Sequence, residues 1–150
     1  MATEEGGAPE ALTLAQEVRQ FLLELRQEHP GLYPAAPPAR NRETARSLIE
    51  ERAALWSERM AVAHGRIAIK DQRTLWGSCS AKGNLNFNWR LVFAPRDVLD
   101  YVVVHELAHL REMNHSRRFW DLVARFCPEH REHRRWLHEN YRSLRRRSER

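Results

Sequence analysis

Three histidines stand within eleven residues of this chain, with a glutamate directly after the first, in an arrangement that suits a metal ion. The segment His105 to His109 reads His-Glu-Leu-Ala-His, and a third histidine, His115, follows six positions later. Residues four apart lie one above the other on a helix, so His105 and His109 can both reach one cation. If the chain turns back after the helix, His115 completes three nitrogen ligands and leaves one tetrahedral position free, as a catalytic zinc site requires.

Glu106 gives this cluster its predicted chemistry. A bound zinc ion lowers the pKa of a water molecule toward neutrality, and a glutamate beside the first histidine is placed to take the proton. With 8 histidines in 150 residues, such a motif with its third histidine at one fixed spacing is expected roughly 0.002 times by composition alone. The sequence therefore predicts a zinc-dependent hydrolase rather than histidines that decorate an ordinary helix.

Competing ligands and nucleophiles are weaker candidates. Glu112 follows His109 by three residues, but a glutamate at this place more often is solvated or pairs with arginine. His130 and His133 would become ligands only if His115 did not reach the metal. Cys79 is predicted to be a small packing residue, because the sequence places no histidine base near it.

Composition indicates a single globular domain. The chain has 42% hydrophobic and 30% charged residues, and it contains no apolar stretch long enough to span a membrane. The N-terminus lacks the apolar core of a signal peptide. Its two cysteines, Cys79 and Cys127, form no close pair, which favours a cytoplasmic protein with reduced thiols.

The net charge of +5 is concentrated at the C-terminal end. Residues 111–150 carry 12 arginines against 6 acidic side chains, whereas residues 1–60 carry 7 basic and 10 acidic ones. A basic C-terminal third can attract a nucleotide or nucleic acid, but a solvated helix face has the same composition. Both interpretations stay open at this point.

The chain is expected to consist of an extension and one hydrolase domain. Residues 1–40 are expected to form the extension, with a disordered start, one helix from Leu12 to Glu28 and a proline-rich loop from Pro30 to Pro38. Residues 41–147 are expected to form the domain, and residues 148–150 a tail.

Hydrophobic periodicity predicts an α+β domain built around the motif helix. A helix from Arg42 to Met60 comes first, and a hairpin follows in which Leu85 to Phe93 alternates apolar and polar residues. The motif helix is expected to include the apolar run before His105 and to end just after Met113, with two further helices behind it. We expect a small, mainly antiparallel sheet packed on this central helix, with the other helices flanking it.

Three stretches of the chain resemble a known family of metalloproteins. They are Trp76–Ser80 with Gly83-Asn84 and Asn88–Leu91, then Tyr101–His109, and then Asn114–Ser116 with Phe119-Trp120. These stretches are similar to the YgjP-like metallopeptidase family, small bacterial domains related to the SprT-like zinc proteases. The resemblance covers about residues 40–140. It implies a zincin-like fold, with zinc on His105, His109 and His115 and with Glu106 as the catalytic base.

The resemblance also implies a peptide or protein substrate, which in related zincins lies antiparallel to an edge strand. Trp76, Gly77 and Ser78 are the candidate substrate-binding residues on that strand, although Trp76 also suits a place in the core. Gly77 leaves the backbone free for close approach. Asn86, Asn88 and Arg90, on the polar face of the next strand, are interpreted as solvated.

Three alternatives to a simple peptidase remain open. The same zinc centre could hydrolyse the phosphoanhydride of a nucleoside triphosphate, with arginines holding the phosphates. It could instead belong to a SprT-like protease that acts at nucleic acid, for which steep salt dependence of DNA binding is the signature. A non-catalytic zinc-binding module is disfavoured because a purely structural site has no use for Glu106.

Overall fold

The computed structural model describes residues 40–148, together with Glu17, Val18, Gln20, Phe21 and Glu24. These five residues are helical and belong to the helix predicted from Leu12 to Glu28. The remainder of that helix, the predicted disordered start, the proline-rich loop and the last two residues of the tail lie outside the described residues. The chain divides into two units, residues 1–38 and 39–150, and the second unit contains the histidine motif.

The second unit is an α+β domain, which confirms the predicted fold class. It contains helix α1 (Arg42–Met60), strands β1 (Ile67–Lys70), β2 (Gly77–Cys79) and β3 (Leu85–Asn88), a 3₁₀ helix (Trp89–Phe93), and helices α2 (Arg96–Ala108), α3 (Arg117–Phe126) and α4 (His130–Ser148). None of the helices in the described part of the chain is long and apolar enough to cross a membrane.

The three strands form a mixed sheet, with β3 between β1 and β2. β2 and β3 pair antiparallel, with Gly77 opposite Phe87, and they form the expected hairpin. β1 pairs with β3 in parallel, so the sheet is mixed rather than mainly antiparallel. The difference arises because β3 inserts between the two earlier strands, and alternation along one strand carries no information about its neighbours.

The predicted second strand of the hairpin ends earlier than expected, at Asn88. There the Asn88 side chain accepts a hydrogen bond from the N–H of Arg90 at 3.0 Å, and the chain continues as the 3₁₀ helix. The alternation of apolar residues from Trp89 to Phe93 therefore belongs to a 3₁₀ helix that buries Leu91 in the core. A short apolar pattern cannot separate these two structures, because tertiary packing decides between them.

Helix α1 has the bounds that the sequence predicts, and it packs on α2. Asn41 and Thr44 form a capping box at its start, and Ala45, Ile49 and Ala53, each four residues apart, are fully buried. Across the contact, the guanidinium of Arg52 donates two hydrogen bonds of 2.7 Å to the Asp100 carboxylate on α2.

Helix α2 is the centre of the domain. It begins at Arg96, directly after Pro95, and nine of its thirteen residues are buried. α1, α3, α4 and β2 all contact it. Its functional side chains are thus held by packing from several directions.

We predict that Asp100→Asn lowers the free energy of unfolding by about 3 kcal/mol, because it leaves a mostly buried guanidinium without a charged partner. The Arg52 and Asp100 side chains are only 17% and 14% exposed. Urea denaturation of the metal-free protein measures the change.

The matched control is Asp121→Asn. Asp121 lies 3.9 Å from Arg117 in a pair whose side chains are 72% and 94% exposed, so its loss should leave the stability nearly unchanged. An equal loss in both variants would show that the Arg52–Asp100 pair has no special role between α1 and α2.

Candidate metal centre

The three histidines of the motif converge on one point. One ligand nitrogen from each of His105, His109 and His115 lies within 4.8 Å of the others. The Nε2 atoms of His105 and His115 are 3.2 Å apart. A tetrahedral zinc ion with bonds of about 2.05 Å requires ligand nitrogens about 3.3 Å apart. The residues present therefore fit a zinc ion.

The end of helix α2 brings His115 to this point. The sequence predicts that the helix continues to Met113, but it ends at Ala108, with His109 as its C-cap. A tight turn follows, in which the N–H of Glu112 donates to the carbonyl of Ala108 at 3.0 Å. The earlier end gives the chain enough residues to reverse before Ser116 caps α3.

Two hydrogen-bond partners orient the imidazole rings. Nδ1 of His109 is 3.0 Å from the backbone carbonyl of Glu112, and Nδ1 of His105 is 3.4 Å from the hydroxyl of Tyr101. In both rings the hydrogen bond at Nδ1 fixes the tautomer, and Nε2 is the nitrogen left to face the metal position. Glu112 thus contributes its carbonyl oxygen, and its carboxylate is not part of the three-residue cluster.

Phe119 of α3 packs against all three imidazoles. Its ring is fully buried and stacks on His109 at 4.4 Å between centroids, with the rings of His105 and His115 each 4.9 Å away. Burial, together with the neighbouring histidines, lowers the pKa of His105 to about 3. Burial also lowers the pKa of His109. Both rings are therefore neutral at physiological pH, the state that binds metal.

Glu106 is buried beside the cluster, and only 5% of it is exposed. Burial raises its pKa to about 8. A Cβ atom added at Gly77 of β2 would lie 2.9 Å from Cγ and 3.0 Å from Oε1 of Glu106. A side chain at this position would therefore displace Glu106, because the strand backbone lies directly against the carboxylate.

Two adjoining cavities open on either side of this contact and form a groove. The α4-side cavity, of about 400 Å³, is lined by Thr74, Trp76, Tyr101, Val102, Arg134, Leu137 and His138. The turn-side cavity, of about 330 Å³, is lined by Ser78, Cys79, His109, Met113 and His115. Both include Leu75, Gly77, His105 and Glu106. The candidate substrate residues Trp76, Gly77 and Ser78 thus all line the groove, and Trp76 also packs edge-to-face on Tyr141 at 5.9 Å.

The sequence matches the YgjP-like metallopeptidase domain over residues 36–140. The chain belongs to this family. Family membership confirms the resemblance seen in the motifs and, with it, the prediction of a metal-dependent hydrolase. No curated protein matches the chain in sequence.

Two solved structures share the fold of this YgjP-like domain. The metallopeptidase zymogen abylysin of Pyrococcus abyssi superposes with a TM-score of 0.55 at 21% identity, over 61% of this chain and 93% of that one. The metallopeptidase zymogen jannalysin of Methanocaldococcus jannaschii gives 0.54 at 21% identity, over 61% and 95%. These likenesses show a zincin-like metallopeptidase fold.

Asn88 and Arg90 of the YgjP-like domain are buried, although the sequence was interpreted as placing them in solvent. Both contact the loop at the edge of the groove. Asn88 is 2% exposed and Arg90 8% exposed. The Asn88 amide donates to the carbonyls of Gln72 and Leu75 at 2.8 and 3.1 Å, and the Arg90 guanidinium pairs with Asp71. These bonds fix the loop between β1 and β2, which carries Leu75 and Trp76 to the groove.

The remaining candidates stay outside the metal cluster. Burial, with a smaller effect of the Glu106 charge, raises the pKa of the Cys79 thiol, which keeps it protonated and unsuited to nucleophilic attack. The ring of His130 stacks on that of Trp120 with 5.3 Å between ring centroids, and the ring centroids of His133 and Tyr101 are 6.2 Å apart. Neither histidine belongs to the three-residue cluster among the described residues.

We predict that alanine at His105, His109 or His115 weakens zinc binding by more than about 100-fold, because each removes one of three ligands. Competition with a chromophoric chelator measures the affinity. His64→Ala is the control, since that ring bonds the carbonyl of Gly65 at 2.8 Å and lies outside the cluster. Full affinity in His115→Ala would remove His115 from the site and point to Glu112.

Proposed function

We propose that this protein is a zinc-dependent metallopeptidase in which Glu106 is the general base. One observation carries the proposal: a three-histidine cluster and a buried carboxylate face one groove, and an edge strand runs along it. Membership of a metallopeptidase family supports the class of substrate.

The ligand set supports zinc as the ion. Three neutral imidazoles with no carboxylate in the cluster suit a borderline-soft cation better than calcium or magnesium, which prefer oxygen ligands. When bound, the ion supplies Lewis acidity, which lowers the pKa of water and polarises a carbonyl group. The turn after α2 and the ring of Phe119 hold the three imidazoles for it.

Glu106 performs the proton transfers in this proposal. Its carboxylate lies in a buried pocket that raises its pKa, and a nearby dication lowers the pKa again, because opposite charge favours the ionised form. The ionised carboxylate accepts a proton from the attacking water and then donates it to the nitrogen of the leaving amine. Gly77 limits the space around the carboxylate and so fixes where Glu106 Oε1 lies.

Strand β2 is the proposed binding edge for an extended peptide. The carbonyl of Trp76 accepts a hydrogen bond from Asn88 at 2.8 Å, and the N–H of Ser80 donates across the same hairpin at 2.9 Å. Backbone groups alternate in direction along an antiparallel strand. The N–H and C=O of Gly77 and Cys79 therefore face away from β3, toward the open edge, where a peptide can add as a further strand.

Two apolar side chains support a substrate in this groove. Leu75 and Met113 are the large apolar residues that are most exposed within residues 40–148, at 50% and 52%. Both line the groove, one on the loop before β2 and one on the turn before His115. A peptide bound between them would cover apolar surface that is otherwise in water.

The alternatives from the sequence remain predictions. Arg117, Arg131 and Arg134 line a further cavity of about 520 Å³ between α3 and α4, which is the basic surface that a nucleotide or nucleic acid would use. Assays of the zinc-loaded protein against denatured proteins, peptides and nucleoside triphosphates separate these classes. Release of phosphate or pyrophosphate without peptide cleavage would overturn the proposed peptidase.

We predict that Glu106→Gln retains zinc and fold but loses peptide hydrolysis by about 10²–10⁴-fold, because the amide has the carboxylate's shape and cannot accept the proton. Initial rates, zinc content and urea denaturation are measured together. Glu112→Gln is the matched control, since that carboxylate is outside the cluster. Full turnover by Glu106→Gln would rule out the assigned base.

We predict that Gly77→Ala lowers kcat/KM for peptides by about 10–100-fold, since a displacement of about 1 Å at a catalytic group can have this effect. A residue that only contacts substrate would raise KM alone when it is replaced. Contact between an added Cβ and Glu106 indicates that kcat falls as well. Steady-state kinetics at unchanged zinc content measure this. A raised KM with normal kcat would mean that residue 77 contacts the substrate but does not position Glu106. Loss of folding would mean that Gly77 is needed for the fold only.

A further inference from the structure

Arg134 of α4 carries a positive charge and lines the groove beside the three-histidine cluster. Its guanidinium lies 5.6 Å from the centre of the Trp120 ring. It lines the α4-side cavity together with His105 and Glu106. None of the ion pairs within the described part of the chain includes Arg134. The charge is therefore positioned by an aromatic ring and remains available to a ligand.

The α4-side cavity has the chemistry of a selective pocket. Apolar and aromatic residues form about half of its wall, with Val102 and Leu137 buried and Trp76 half-buried. Among the described residues that line it, Glu106 is the only carboxylate and Arg134 the only arginine. An apolar wall binds a side chain by burial, and a cation such as Arg134 selects it by charge.

Antiparallel pairing with β2, the direction expected of the proposed peptide substrate, assigns this cavity to the residues after the scissile bond. β2 runs from Gly77 to Cys79, so a peptide that pairs antiparallel runs from the Cys79 end toward the Gly77 end. Cys79 lines the turn-side cavity, whereas Thr74 and Trp76 line the α4-side cavity. The C-terminal part of the peptide therefore enters the cavity that contains Arg134. None of the described residues that line the turn-side cavity is a lysine or an arginine.

We propose that Arg134 selects substrates that carry a carboxylate just after the cleaved bond. The carboxylate is either an acidic side chain or the free C-terminus of a short peptide, and both would make charge-assisted hydrogen bonds with the guanidinium. The inference rests on the proposed peptidase function. It also predicts discrimination against lysine and arginine at the same place, because like charges repel.

Binding to the zinc-loaded Glu106→Gln protein tests the selection without turnover. Four peptides are identical except at one residue, Glu or Gln, and at the C-terminus, free carboxylate or amide. Calorimetry should show that the peptide with Gln and an amidated end binds about tenfold more weakly than the preferred carboxylate peptide. A preference within the amidated pair identifies the side chain as the source, and a preference within the Gln pair identifies the C-terminus.

Variants of α4 show whether Arg134 is responsible. Arg134→Gln in the same Glu106→Gln background should remove the preference, Arg134→Lys should retain part of it, and Arg134→Glu should reverse it. Arg131→Gln is the matched control, because Arg131 is one turn earlier on α4 and lines the cavity between α3 and α4, whereas it is not among the described residues that line the α4-side cavity. Equal affinity for all four peptides, or a preference that survives Arg134→Gln, would overturn the assignment.

Turnover by the unmodified protein separates this inference from the proposed function. If the zinc-loaded protein cleaves the peptides at equal rates and binds them equally, the peptidase stands and the role of Arg134 fails. If it cleaves none of them and no denatured protein, while Arg134 still selects carboxylates in the binding assay, the peptidase fails and the carboxylate site stands. Faster cleavage next to the carboxylate, located by mass spectrometry, supports both.

Discussion

Burial of Glu106 beside two imidazoles on α2 is the constraint on which the surrounding structure depends. A carboxylate and two imidazoles inside a packed domain are costly unless each has a partner. Gly77 approaches the carboxylate so closely that no side chain fits between them, and Phe119 covers the imidazoles. Hydrogen bonds at Nδ1 fix the rings, and a metal ion is the natural partner for the nitrogens that remain. The fold thus keeps water from surrounding these groups while it leaves one side open to the groove.

Helix α1 and the three-histidine cluster could be predicted because they depend on local spacing. The bounds of α1 follow from its capping residues and from buried residues every fourth position. The cluster follows from the distances between histidines along the chain, which a helix converts directly into positions in space. The place where α2 ends could not be predicted, because no glycine or proline between His109 and Asn114 marks it. The turn is made instead by bonds of Glu112 to the Ala108 carbonyl and to His109.

The order of strands in the sheet and the polar residues around the groove depend on contacts between residues that are distant in sequence. Nothing in the alternation of β3 shows that β1 would be its parallel neighbour. Asn88 and Arg90 have the pattern of a solvated strand face, yet their partners are up to 58 residues away, at Ser148. A polar side chain that hydrogen-bonds to a residue far away in sequence leaves no periodic pattern in the sequence. Its burial can therefore be recognised only from the folded structure. The same holds for Arg134, which reaches the groove because α4 packs across α2.

The contacts that fix the groove are different from the contacts that position the three histidines. Asn88 and Arg90 fix the loop that precedes β2, and Arg52 fixes α1 against α2 through Asp100. The three histidines instead depend on the end of α2 and the start of α3. The groove and the histidine cluster thus rest on different contacts, so a substitution in one set need not disturb the other. Gly77 and Glu106 are the point where the two sets meet, because the proposed peptide-binding edge and the proposed catalytic carboxylate are in direct contact there.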